Sequence, residues 1–152
     1  MAHYRQTIRN AVVDILDGLE TTEDRVFATR TAPLASDKLP ALCIYTVSET
    51  SEPHRIGSSR AVLRKLSLVV EGVAEVNETL DDTLDDIAAE VETAIGADTT
   101  LGLSSGVYDC TLDSTQIAIR GGAESKKETG SVVMTFNVTY RTLLADPTAA
   151  AI

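Results

Sequence analysis

The stretch "TLDDTLDD", residues 79–86, sets Asp81, Asp82, Asp85 and Asp86 in two pairs four residues apart. Grouped carboxylates can hold a metal ion or divide general acid and general base work between them. Each role has a physical requirement. A catalytic carboxylate needs partial burial to move its pKa toward the working pH. A calcium site needs oxygens folded around a tight glycine-containing loop. A dinuclear site in a helical frame needs Glu-x-x-His, which the chain lacks.

The spacing satisfies none of these and predicts a helix over about 78–95 instead. At about 100° per residue, Leu80, Leu84, Ile87, Val91 and Ile95 fall within about 80° of one another. Asp81, Asp82, Asp85, Asp86, Glu90 and Glu92 spread over the other side. The acids then form a solvated or interface face. Asp81 and Asp82 meet the positive end of the helix dipole, and Thr79 or Asn77 can cap the start. The Asp81/Asp85 and Asp82/Asp86 pairs repel across one turn, at a few tenths of a kcal/mol each, with no lysine on the helix to relieve them.

Other catalytic signatures are missing. No serine sits in Gly-x-Ser-x-Gly. "RIGSSR" lacks the Gly-Lys-Ser/Thr of a phosphate loop, and "GVYDC" does not supply Gly-x-Gly-x-x-Gly. His3 and His54 are the only histidines. Cys43 and Cys110 lie far apart, each in a strand-like run, without thiolate zinc spacing. A disulfide or a Cys110–His pair can be drawn, but the strand setting favours two buried thiols. The sequence is therefore expected to carry no catalytic, cofactor or metal site.

Charge points to surfaces. The formal net charge is −10. No Lys or Arg occurs between Lys65 and Arg120, a gap that holds about half of the acidic residues, so one face of the domain is expected to be strongly negative. Such a chain does not bind duplex phosphates over its whole surface. Aromatics at 4%, with no Trp, leave little for base stacking. Two basic clusters stand out: His54, Arg55 and Arg60 in one polar loop, and Arg120, Lys126 and Lys127 around another. They serve solubility, or contact an acidic partner or a second copy. In a head-to-tail assembly a basic loop would meet the acidic helix of the next subunit, and a heterologous contact that closes makes a ring. No signal peptide or membrane span is legible, so a soluble, intracellularly made protein is expected.

The elements that must position these groups follow from periodicity. Residues 3–17 read as an amphipathic helix, with Tyr4, Ile8, Val12, Ile15, Leu16 and Leu19 at helical spacing and Gly18 as its stop. "RVFATR", 25–30, reads as a short strand and 31–40 as a connector. "ALCIYTVSE", 41–49, is apolar on both faces, hence a covered central strand. Residues 50–60 read as a mobile loop, and 61–75 as a long strand in which Gly72 marks a bulge or bend. After the acidic helix, 97–106 connects to an extended 107–120 whose alternation falters in its middle. A polar loop, 121–130, leads to the clean strand 131–142. The expected fold is α+β: one domain over 1–143, a largely antiparallel or mixed sheet of about five strands flanked by two helices, in the order α-β-β-β-α-β-β. Residues 144–152 are expected to fray.

The order and wording of these elements resemble a known family. The helix "YRQTIRNAVVDILDGL" leads to "RVFATR", then "LPALCIYT", then "RKLSLVVEGVAE". The acidic helix "LDDTLDDIAAEVETAI" with "ADTTLG" follows, and "VVMTFNVTYRT" closes the run. Over about residues 4–143 this is similar to the tail terminator (tail completion) proteins of long-tailed bacteriophages, such as the minor tail protein that caps the lambda tail tube. The resemblance implies structural work: a homo-hexameric ring that caps the tail tube, stops its polymerisation and presents a surface to the head-completion or connector protein. It implies residence at the head-proximal end of the virion tail, and in the host cytoplasm before assembly. DNA would pass through the ring without specific binding, and neither a cofactor nor a membrane is implied. The acidic face then has two candidate placements, lining the channel, where it repels phosphates, or docking on the tube. The rival readings are another head-tail joining or neck protein, a tube-associated protein of a contractile injection system, a small acidic hydrolase or metal-dependent enzyme using the aspartates, and a free-standing ligand-binding domain.

Overall fold

The structure is a computed structural model that describes residues 2–30, 38–54, 60–120 and 129–151. The elements are α1 (Tyr4–Leu16), β1 (Val26–Phe27), β2 (Ala41–Pro53), β3 (Ala61–Glu75), α2 (Leu80–Gly96), β4 (Val107–Arg120), β5 (Thr129–Leu143) and β6 (Asp146–Ala150). They form an α+β domain with one mixed sheet in the order β1-β2-β3-β5-β4, with β6 pairing β5 off this path. Every pairing of these strands is antiparallel except that of β1 with β2.

The helices form where the apolar spacing demands. Tyr4, Ile8, Val12 and Leu16 of α1 are buried, as are Leu80, Leu84, Ile87, Val91 and Ile95 of α2. Both stripes join one core with Leu42, Ile44, Leu66, Leu68, Val70, Val132, Met134, Phe136 and Val138, which share a face of the sheet. Each fully buried Leu or Ile contributes about 1.5–3 kcal/mol, so this single layer of helix on sheet holds the domain together. The sheet's other face also carries buried positions, among them Cys43, Val69, Glu71 and Val73. Glu71 accepts a hydrogen bond from the Tyr45 hydroxyl at 3.0 Å.

Several expectations change. Gly72 is not a bulge: Leu42, Gly72 and Val132 stay in unbroken register. A Cβ there would stand 2.6 Å from Ile87 Cγ2, so the missing side chain lets α2 settle on β3. In "RVFATR" only Val26 and Phe27 pair, with Leu42 and Cys43. Residues 50–53, expected in a loop, extend β2, while 55–59 lie outside the described residues. The faltering alternation of 107–120 has a cause in two register shifts, between Val107 and Asp109 and between Leu112 and Ser114. The segment expected to fray forms the sixth strand. Thr142 pairs with Ala150, the Ala151 N–H donates to the Arg141 carbonyl at 3.2 Å, and Ala151 is buried. Its small residues carry too little apolar signal to be read as a strand. Their place exists because β4 begins opposite Tyr140, which leaves the end of β5 open to β6.

Candidate functional site

The acidic helix meets the first test of geometry. Asp81, Asp82, Asp85, Asp86 and Glu92 are exposed, opposite the buried stripe. Thr79 is the N-cap of α2 but makes no side-chain capping bond; instead the Asn77 Oδ1 accepts from the Thr79 N–H and hydroxyl, both at 2.9 Å, in the turn that leads into the helix. Among the described residues, no three His, Cys, Asp or Glu side chains come together as a metal site.

Glu90 does not belong to the open face. It is half-buried, and its carboxylate accepts from the Thr21 N–H at 2.9 Å and the Thr21 hydroxyl at 2.5 Å. It clamps the turn after α1 onto α2. Nothing in the sequence links positions 69 apart, so the clamp was not legible there. The rest of the acidic gap also divides. Glu71 is internal, Glu75 half-buried, and Asp109 and Asp113 stand on β4. The acids of the charge run are therefore divided between the interior, the outer face of α2 and β4.

The basic residues separate as well. His54 is exposed at the end of β2, edge-on to the Tyr108 ring at 6.5 Å. Arg60 is exposed beside Ala61 and, with Pro53, Val62 and Leu144, lines a groove of about 510 Å³. Arg120 ends β4 opposite Thr129. Arg55, Lys126 and Lys127, and the side chain of Arg120, lie outside the described residues. The β2–β3 and β4–β5 connections leave opposite ends of the sheet, on the order of 45 Å apart along the 15-residue β5 at about 3.3 Å per residue. The base of the second lies against the first turn of α2, where Gly130 packs on Leu80.

A half-buried ionic cluster ties α1 to the β2–β3 arm. Glu49 accepts from Arg5 at 2.8 Å, from Arg64 at 3.0 Å and from the Tyr140 hydroxyl. Burial, and then donation to Glu49, pushes the Tyr140 phenol above its usual range. Arg64 also donates through Nε to the Thr142 hydroxyl at 3.1 Å. His3 caps α1, its Nδ1 accepting from the Arg5 N–H at 3.1 Å. Burial first, and then Arg5 and Arg64, hold its imidazole below the usual value. Cys110 is a protonated thiol at neutral pH, since burial and then Asp109 push its pKa up to about 12.

The sheet edges are the other exposed chemistry. From Thr111 to Ile119 every residue of β4 is exposed, including Leu112, Ile117 (57%) and Ile119 (64%). On the far side, Arg30 donates to the Thr46 carbonyl and stacks over the Tyr45 ring at 5.2 Å, and Val47 stands exposed at the register shift of β2.

No family model matches the chain, and no curated protein matches it. Among solved structures, it is similar to a chain of the virion of a native gene transfer agent particle. The two align with a TM-score of 0.56 and 16% identity, over 88% of this chain and 93% of that one. What they share is the fold. The alignment spans nearly all of both chains, so the likeness is of whole domains rather than of one motif.

Proposed function

We propose that this chain is a structural protein of a phage-like virion. The observation that supports the reading is the whole-domain likeness to a virion chain. Within that reading, the finer assignment follows the family resemblance: a tail terminator that assembles as a ring of six, caps the tail tube, stops its growth and offers its other face to the connector. The work is done by surfaces. The α2 acids Asp81, Asp82, Asp85, Asp86 and Glu92 then face either the tube or the DNA channel, where negative charge keeps phosphates moving. Glu90 takes no part, because it is used inside the subunit.

The test is assembly. Light scattering across protein concentration is expected to give a discrete ring, and addition of the chain to polymerising tube protein is expected to cap the tubes at one end in electron micrographs. A chain that stays monomeric at every concentration and leaves tube growth unchanged overturns the reading.

A further inference from the structure

β4 forms one edge of the sheet. It pairs only with β5 among the described residues. Natural edges are usually blunted by lysine, proline or a covering segment. From Val107 to Ile119 there is no Lys, Arg or Pro, and the charges are Asp109 and Asp113. Among the described residues the opposite edge is β1, which pairs with Leu42 and Cys43 of β2, followed by the Arg30 and Val47 surface.

We infer that the β4 edge of one subunit docks on the β1–β2 edge of a second copy and continues the sheet across the ring. The inference rests on the ring reading above. Three features of the register support it. First, direction: β2, β3, β5 and β4 alternate, so β4 runs opposite to β2 and to its parallel partner β1. Copies related by rotation about an axis along the strands therefore bring β4 antiparallel to the neighbour's β1 and β2. Second, apolar rows: Ile117 is level with Val132, Gly72, Leu42 and Val26 in turn. In a level ring Ile117 meets the half-buried Val26 of the next copy. Third, charge: Leu112 is level with Phe136, Leu68 and Thr46, which sets neighbouring Asp113 against Arg30 of the next copy, held on Thr46. Asp109 is level with Thr139 and Lys65. A two-fold β4–β4 pairing is disfavoured by the same charges, because it places acid against acid with no cation on the strand.

A charge swap tests this. Asp113→Arg sets two guanidinium groups against each other at the contact, and Arg30→Asp sets two carboxylates against each other. Both residues are exposed, so circular dichroism of each variant should match that of the parent subunit, and Arg30→Gln, which loses the Tyr45 stacking without adding a carboxylate, controls for the contacts Arg30 makes inside its own subunit. Each variant alone is expected to need on the order of tenfold more protein, or beyond, for half-assembly. In a 1:1 mixture, a ring in which the two variants alternate has opposite charges at every contact, so the mixture is expected to return toward the parent assembly midpoint. Ile117→Lys is expected to weaken assembly without rescue by Arg30→Asp. Variants that assemble like the parent, or a mixture that assembles no better than either variant alone, overturn this interface and leave the ring reading standing. A parent chain that never assembles overturns both.

Discussion

Replacing Gly72 by alanine adds one methyl group at the tightest contact between α2 and the sheet. The added Cβ would lie 2.6 Å from Ile87 Cγ2, 3.0 Å from Val132 Cγ1 and 3.5 Å from Ile87 Cδ1. The first distance is far inside van der Waals contact. Ile87 is also fully buried at the centre of the helix stripe, so it has no solvent to swing into. Overpacking of this kind costs about 1–3 kcal/mol. For a domain of this size that lowers Tm by about 2–12 °C, at ~2–4 °C per kcal/mol. Ile87→Ala alone opens a cavity and costs about 2–5 kcal/mol. It also removes the atoms that the new methyl strikes. The double variant should therefore be destabilised by about 1–3 kcal/mol less than the sum of the singles. Urea unfolding at one fixed protein concentration measures all four corners of this cycle, the fixed concentration being needed because assembly adds stability by mass action. An alanine variant as stable as the parent, or singles that add to within about 0.5 kcal/mol, would refute the close-approach account.

Three further outcomes follow from the same geometry. Glu49→Ala leaves the Arg64 and Tyr140 donors without their acceptor, and should cost about 3 kcal/mol in urea, the low end for a buried pair because Arg5 is 36% exposed. On α2, Glu90→Ala should cost about 1.5–3 kcal/mol through loss of the Thr21 clamp. Asp85→Lys, on the exposed face beside Asp81, should instead stabilise by about 0.3–0.5 kcal/mol. Equal effects at the two positions in a thermal melt would contradict their assignment to different surfaces. His3 has a folded-state pKa below 6.5, so the unfolded chain takes up the proton first. Its contribution is complete above pH 6.5 and is lost as pH falls through the window down to the folded value. His3→Asn keeps a capping oxygen without titration, and should flatten the stability profile over that window; an unchanged slope argues against an imidazole held low by burial and by Arg5 and Arg64.

The legible parts of this protein are those carried by short-range repetition. The α2 stripe of Leu80, Leu84, Ile87, Val91 and Ile95 and the alternation of β5 could be read directly, because one face of each element must be apolar to join the core. The exposure of Asp81, Asp82, Asp85, Asp86 and Glu92 followed as the complement of that stripe. Glu90 broke the pattern. Its wheel position is ambiguous, and only the arrival of Thr21 from another part of the chain gives it a hydrogen-bonded place. The Glu49 cluster was hidden for the same reason: its partners Arg5, Arg64 and Tyr140 come from α1, β3 and β5. β6 was hidden because small residues have no periodicity strong enough to show.

Local order in the chain, then, determined the elements, their sequence along the chain and the absence of any Gly-Lys-Ser/Thr, Glu-x-x-His or Gly-x-Ser-x-Gly signature. Those properties depend on side chains a few residues apart. Tertiary structure alone decided which carboxylates are surface and which are internal, that the β2–β3 and β4–β5 strand ends lie at opposite ends of the sheet, and that the C-terminal segment pairs with β5. It also decided that Asp113 and Arg30 stand level on opposite edges of one sheet. These are relations between strands brought together by hydrogen-bond register, and no spacing within a single strand contains them.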